Sequence, residues 1–97
     1  MARYAVLLIL VAAAACVSGE DQALKQARSW SATAMLVAEH WVDGEVPSAY
    51  ARGALKKAAD QLAKGPVPQA AAPVAELGIA VAREDRAAAK RILESLR

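Results

Sequence analysis

Phenylalanine is absent from this chain, and Tyr4, Trp30, Trp41 and Tyr50 are its only aromatic residues. Any core must therefore be filled by aliphatic side chains and at most two indoles. One cysteine, Cys16, rules out an internal disulfide and hence a disulfide-stapled scaffold. It also rules out a C-x-x-C-H haem attachment. One histidine, His40, and scattered serines give no basis for a Ser-His-Asp set, and no glycine-rich phosphate-cradling loop is present. Net charge is only +2, and no basic stripe is interleaved with aromatics, so nucleic acid is not an expected partner.

Alanine is what the chain has instead. The hydrophobic fraction is 57%, but 26 residues are alanine, which buries little area. Alanine has the highest intrinsic helix propensity, and its small side chain lets helices approach closely. With 97 residues, one domain at most is expected, near the lower limit for a self-sufficient core. Help from a protein partner, or from a second copy in a homo-oligomer, is in keeping with that size.

The N-terminus reads as an address. Arg3 and the terminal amine form a short positive region, and Tyr4 to Val17 is an unbroken apolar run of 14 residues. Ser18, Gly19, Glu20 and Asp21 end it. At about 1.5 Å per residue the run reaches about 21 Å, short of the roughly 30 Å of bilayer hydrocarbon. This is the anatomy of a secretory signal peptide, with a short uncleaved anchor as the alternative. We therefore divide the chain into a signal segment, 1–19, and a mature helical domain, 20–97.

The run closes with "AAAC", Ala13 to Cys16. It resembles the lipobox of bacterial lipoprotein precursors, in which a branched apolar residue, a small residue and Gly or Ala precede a cysteine. Ala14, Ala15 and Cys16 match the pattern, while Ala13 stands where Leu is usual. The resemblance covers only the leader. It implies cleavage after Ala15, a diacylglyceryl thioether on Cys16 and a membrane anchor through N-terminal lipid. Acyl chains contribute about 0.8 kcal/mol per buried CH₂, so two or three of them hold a protein stably. Val17 in place of Asp after the cysteine implies sorting to an outer membrane where the host has one. The competing cleavage site follows Gly19, where Val17-Ser18-Gly19 offers small residues to ordinary signal peptidase. That route would release a soluble periplasmic or secreted binding protein.

The mature segment reads as all-α, a small antiparallel bundle of three to four helices. The first helix is expected from about Asp21 to Asp43, with Glu20 and Asp21 at its positive dipole end. Ala23, Ala27, Trp30, Ala34, Val37 and Trp41 follow helical spacing along it, and Gly44 ends it. The second is expected from about Pro47 to Lys64, with Ala51, Ala54, Leu55, Ala58 and Leu62 as its apolar stripe. Residues 20–45 carry five acids and two bases, and residues 46–64 four bases and one acid. This charge difference should favour pairing of the two helices weakly. Beyond the "KGPVP" stop at 64–68, a third helix opens at Pro73 and runs to about Ala82, and a fourth runs from Arg86 to Leu96 with Asp85 as its N-cap. The alternative is one long helix carrying Leu77, Val81, Ala88, Ile92 and Leu96 on a single stripe. The 78–96 stretch resembles a helix-turn-helix unit of the tetratricopeptide kind, although an array needs about three such units.

Candidate site residues are few. His40, flanked by Glu39 and one turn from Asp43, offers two or three ligand atoms, fewer than a metal site normally uses. Glu39, Asp43 and Glu45 cluster where a solvated helix end accounts for them. No catalytic set, metal site or cofactor is expected, and the chain is not read as an enzyme. Trp30 and Trp41 are the candidate partner-binding residues, since Trp is enriched at binding hot spots. The competing reading is that both anchor the core, with Tyr50 packed near Trp41.

Overall fold

A computed structural model describes the backbone of residues 2–97, the exposure of Gly19 and the side chains of residues 21–97. Four helices run in order: α1, Ala2–Val42; α2, Ser48–Lys64; α3, Ala71–Ala82; and α4, Arg86–Leu96. A short 3₁₀ turn, Pro68–Ala70, leads into α3, and no strand occurs among the described residues. The chain is a small all-α bundle, as its composition implies.

The start of the first helix differs from expectation. Its helical backbone passes through Glu20 and Asp21 without a break and begins at Ala2. No proline precedes Pro47. A glycine inside a helix costs only about 1 kcal/mol relative to alanine, so Ser18-Gly19 cannot terminate a helix flanked by alanine-rich turns. Glu20 and Asp21 consequently meet no free helix N-terminus. The remaining boundaries lie close to the expected ones. Pro47 is extended (φ −67°, ψ 150°) and sits just outside α2 rather than in its first turn. The third helix starts two residues before Pro73.

Two helix ends are closed by the same hydrogen-bonded device. After α1, Gly44 takes φ +76°. The Glu45 amide then donates to the His40 carbonyl at 2.8 Å and the Gly44 amide to that of Trp41 at 3.0 Å. After α3, Glu84 takes φ +55°. There the Asp85 amide donates to the Ala80 carbonyl at 2.8 Å and the Glu84 amide to that of Val81 at 3.0 Å. Both are Schellman motifs, which satisfy otherwise orphaned carbonyls by placing one residue in the left-handed region. Glycine does so freely; glutamate does so against Cβ sterics. Asp85 then caps α4, its Oδ1 accepting from the Ala88 amide at 3.0 Å. This turn separates α3 from α4 and shifts the apolar register. Leu77 and Val81 are buried as the stripe requires, but α4 buries Ala89 and Leu93, while Ala88 and Ile92 are only half-buried and Leu96 is exposed.

The core follows the helical spacing. Ala27, Ala34, Val37, Ala38 and Trp41 of α1 face Ala51, Leu55, Ala58 and Leu62 of α2, with Val74, Leu77, Ala80 and Val81 of α3 and Ala89 and Leu93 of α4 completing it. Ala34, Ala38, Ala51, Ala58 and Ala89 are essentially inaccessible, so their contribution is close approach of backbones. No polar side chain is buried among the described residues. Among those residues no ion pair links α1 with α2, despite their opposite charge. The one cationic contact between them is the Lys57 ammonium, 5.9 Å from the Trp30 ring centroid. α4 closes the other end of the bundle, where the Arg97 guanidinium donates to Glu39 Oε1.

These turns make opposite predictions for neighbouring residues. Glu84→Gly should raise stability by about 0.5–1 kcal/mol through relief of the left-handed strain. Asp85→Ala should lower it by about 1 kcal/mol through loss of the cap. Urea denaturation followed by circular dichroism measures both.

Candidate partner surface

The two tryptophans, eleven residues apart on α1, have different fates. Trp41 is fully buried. Its indole N–H donates to Ser48 Oγ at 2.9 Å, which draws the first residue of α2 onto it. The Arg86 guanidinium lies 4.8 Å from its ring centroid and covers it from the first turn of α4. The expectation that Trp41 presents a partner surface is therefore corrected: the alanines around it leave space that only a large side chain fills. Tyr50 does not share that environment; it is 60% exposed.

Trp30 is half-buried and remains a surface candidate. It borders a groove of ≈ 540 Å³ between α1 and the end of α2, with Ala23, Ala27, Lys64, Gly65 and Pro66 among its walls. The groove has a local cause. Gly65 and Pro66 stop α2 at Lys64, while α1 continues and offers only the short side chains of Ala23 and Ala27 at that level. On the other flank of Ala27, a second groove of ≈ 490 Å³ is lined by Leu24, Arg28, Met35, Val67 and Ala70. Both are open and largely apolar, with cationic groups at their rims. This is the arrangement of a surface that accepts an apolar side chain and keeps charge at the edge. Sequence spacing placed Trp30 on the inner face but gave no sign that α2 would end beside it.

The residues around His40 do not converge. The His40 Nδ1–H donates to Glu45 Oε2 across the Gly44 turn. Glu39, on the adjacent position, turns toward α4 and accepts from Arg97. With Asp43 it borders a polar groove of ≈ 250 Å³ that also contains Lys90, Glu94 and Arg97. Glu39 and Glu45 thus turn to different partners, Arg97 and His40. Among the described residues no three His, Cys, Asp or Glu side chains are placed to hold a metal ion.

The candidates in the N-terminal segment fall elsewhere. The side chains of Ala15 and Cys16 lie outside the described residues. Gly19 is exposed, with open space around its Cα. Among the described residues no helix is long and apolar enough to cross a membrane. Comparisons with protein-family models, with curated proteins and with solved structures find no match to this chain.

The tryptophans can be read separately by fluorescence. The Trp30→Phe variant, which reports Trp41, should emit to the blue and resist acrylamide. The Trp41→Phe variant, which reports Trp30, should emit further to the red and be quenched readily. Trp41→Ala should cost about 3–5 kcal/mol, as deletion of a large core side chain does.

Proposed function

We propose that the chain is a small exported protein of the cell envelope, anchored to a membrane by lipid on Cys16, whose helical domain has a non-catalytic adaptor or structural role. The observation that carries this reading is the order of residues at the N-terminus. A positive start precedes 14 apolar residues too short to span a bilayer, then a lipobox-like Ala14-Ala15-Cys16, then polar residues. The lone cysteine supports it, because a lipidated Cys16 cannot pair with another thiol in an oxidising compartment. With Val17 rather than Asp next to it, the periplasmic face of the outer membrane is the destination in a host that has one.

The adaptor role rests on Trp30. A half-buried indole, approached by the Lys57 ammonium and beside an open apolar groove that Lys64 also borders, suits an apolar side chain of a protein partner. The small core supports the same role, since a domain of this size gains stability from association.

Intact mass of the mature protein, with cell fractionation, tests the reading. The expected product begins at Cys16, carries the mass of its acyl chains and sediments with membranes. Cys16→Ser should move it out of that fraction. An unlipidated product beginning at Glu20 would replace the anchored protein with a released one. Full-length product with Met1 intact in the cytoplasm would overturn export itself.

A further inference from the structure

Helix α3 has two apolar faces, and only one is covered by this chain. Its inner face, Val74, Leu77, Ala80 and Val81, is buried in the core. Its outer face carries Ala72, Ala75, Ile79 and Ala82, all exposed, with Ile79 at 52%. Glu76 is its only charged residue. The outward faces of α2 and α4 are different: α2 presents Arg52, Lys56, Lys57, Asp60 and Lys64, and α4 presents Arg86, Lys90, Arg91 and Glu94. A helix that is apolar all round is the mark of a helix buried on all sides. Beside Ile79 lies an apolar groove of ≈ 270 Å³ between α2 and α3, walled by Leu55, Ala59, Val74, Ala75, Gly78 and Ala82.

The charges at the edge of this face point to what covers it. Glu76 lies midway along α3, and Arg83 is its C-cap. They are seven residues apart, two helical turns, so they lie on the same edge of the apolar stripe. When two such helices pack antiparallel about a two-fold axis, equivalent edges face one another. Glu76 of each copy then meets Arg83 of the other, giving two identical ion pairs from one spacing. The stripe between them brings Ile79 of each copy against the small residues of its counterpart. Parallel packing would set the charged edge against the alanine edge and form neither pair.

We propose that α3 is a self-association surface, paired antiparallel with α3 of a second copy through Ile79 and its alanine neighbours and registered by reciprocal Glu76–Arg83 pairs. The pairing is independent of Cys16 and of the groove beside Trp30. A single helix pair buries less than the roughly 1,200 Å² of a standard interface, so the dimer is concentration-dependent.

The test is sedimentation equilibrium of the full chain in a density-matched mild detergent, at concentrations up to about 100 µM, in the range where weak interfaces associate. The wild type should show a monomer–dimer equilibrium. Glu76→Arg and Arg83→Glu should each weaken it by about tenfold, since each turns two attractive pairs into two repulsive ones. The double variant Glu76→Arg/Arg83→Glu should recover to near the wild-type constant. Ile79→Asp should abolish the dimer. All three positions are on the surface, and unchanged circular dichroism verifies that each variant is folded. A wild type that stays monomeric throughout, leaving the face to a different protein, would overturn the proposal. So would a dimer indifferent to these changes, as from leader association, or single charge variants that the double variant fails to rescue.

Discussion

Trp41 is the side chain on which the packing of this bundle turns. It is the largest fully buried residue and belongs to the last turn of α1. Its N–H is satisfied by Ser48 at the start of α2 and its ring is covered by Arg86 at the start of α4. One indole thus fixes three helices at a common level, over an apolar interior otherwise made of alanine, leucine and valine. A buried indole with an unpaired N–H would lose much of this benefit, so Ser48 matters as much for the donor it satisfies as for its position in α2.

Because so much of the interior is alanine, helix ends rather than bulky side chains set the geometry. Both Schellman turns fold the chain back within a few residues, at Gly44 and at Glu84. The cost at Glu84 is compensated locally: two backbone bonds close α3, and Asp85 opens α4 immediately afterwards. At the opposite end of α2 the stop has another consequence. Gly65 and Pro66 end the helix while α1 extends past it, and the open space left against Ala23 and Ala27 is the groove in which Trp30 lies. The functional reading of Trp30 is in this sense a by-product of unequal helix lengths.

Much of this was legible along the chain. The α2 stripe, the turn at Gly44, the Asp85 cap and the limits of α4 all rest on interactions within four or five residues. Spacing and residue type report such interactions directly. The reading failed where a local signal lacked strength or a distant contact decided the outcome. Glu20 and Asp21 have the chemistry of a helix start, but nothing before them stops a helix. Trp30 and Trp41 share one spacing and one face, so periodicity alone could not tell core from surface. The acids near His40 looked like one cluster, yet Glu39 is drawn to Arg97, 58 positions away.

What the sequence determined by itself is the helical class, the turns between helices and the apolar N-terminal run with its single thiol, because propensity, capping and hydropathy are local properties of the chain. Tertiary structure alone decided which tryptophan is enclosed, where a groove opens, and that α3 keeps an apolar face outward. Those outcomes depend on which helix ends beside which, and helices far apart in the chain meet only when it is folded.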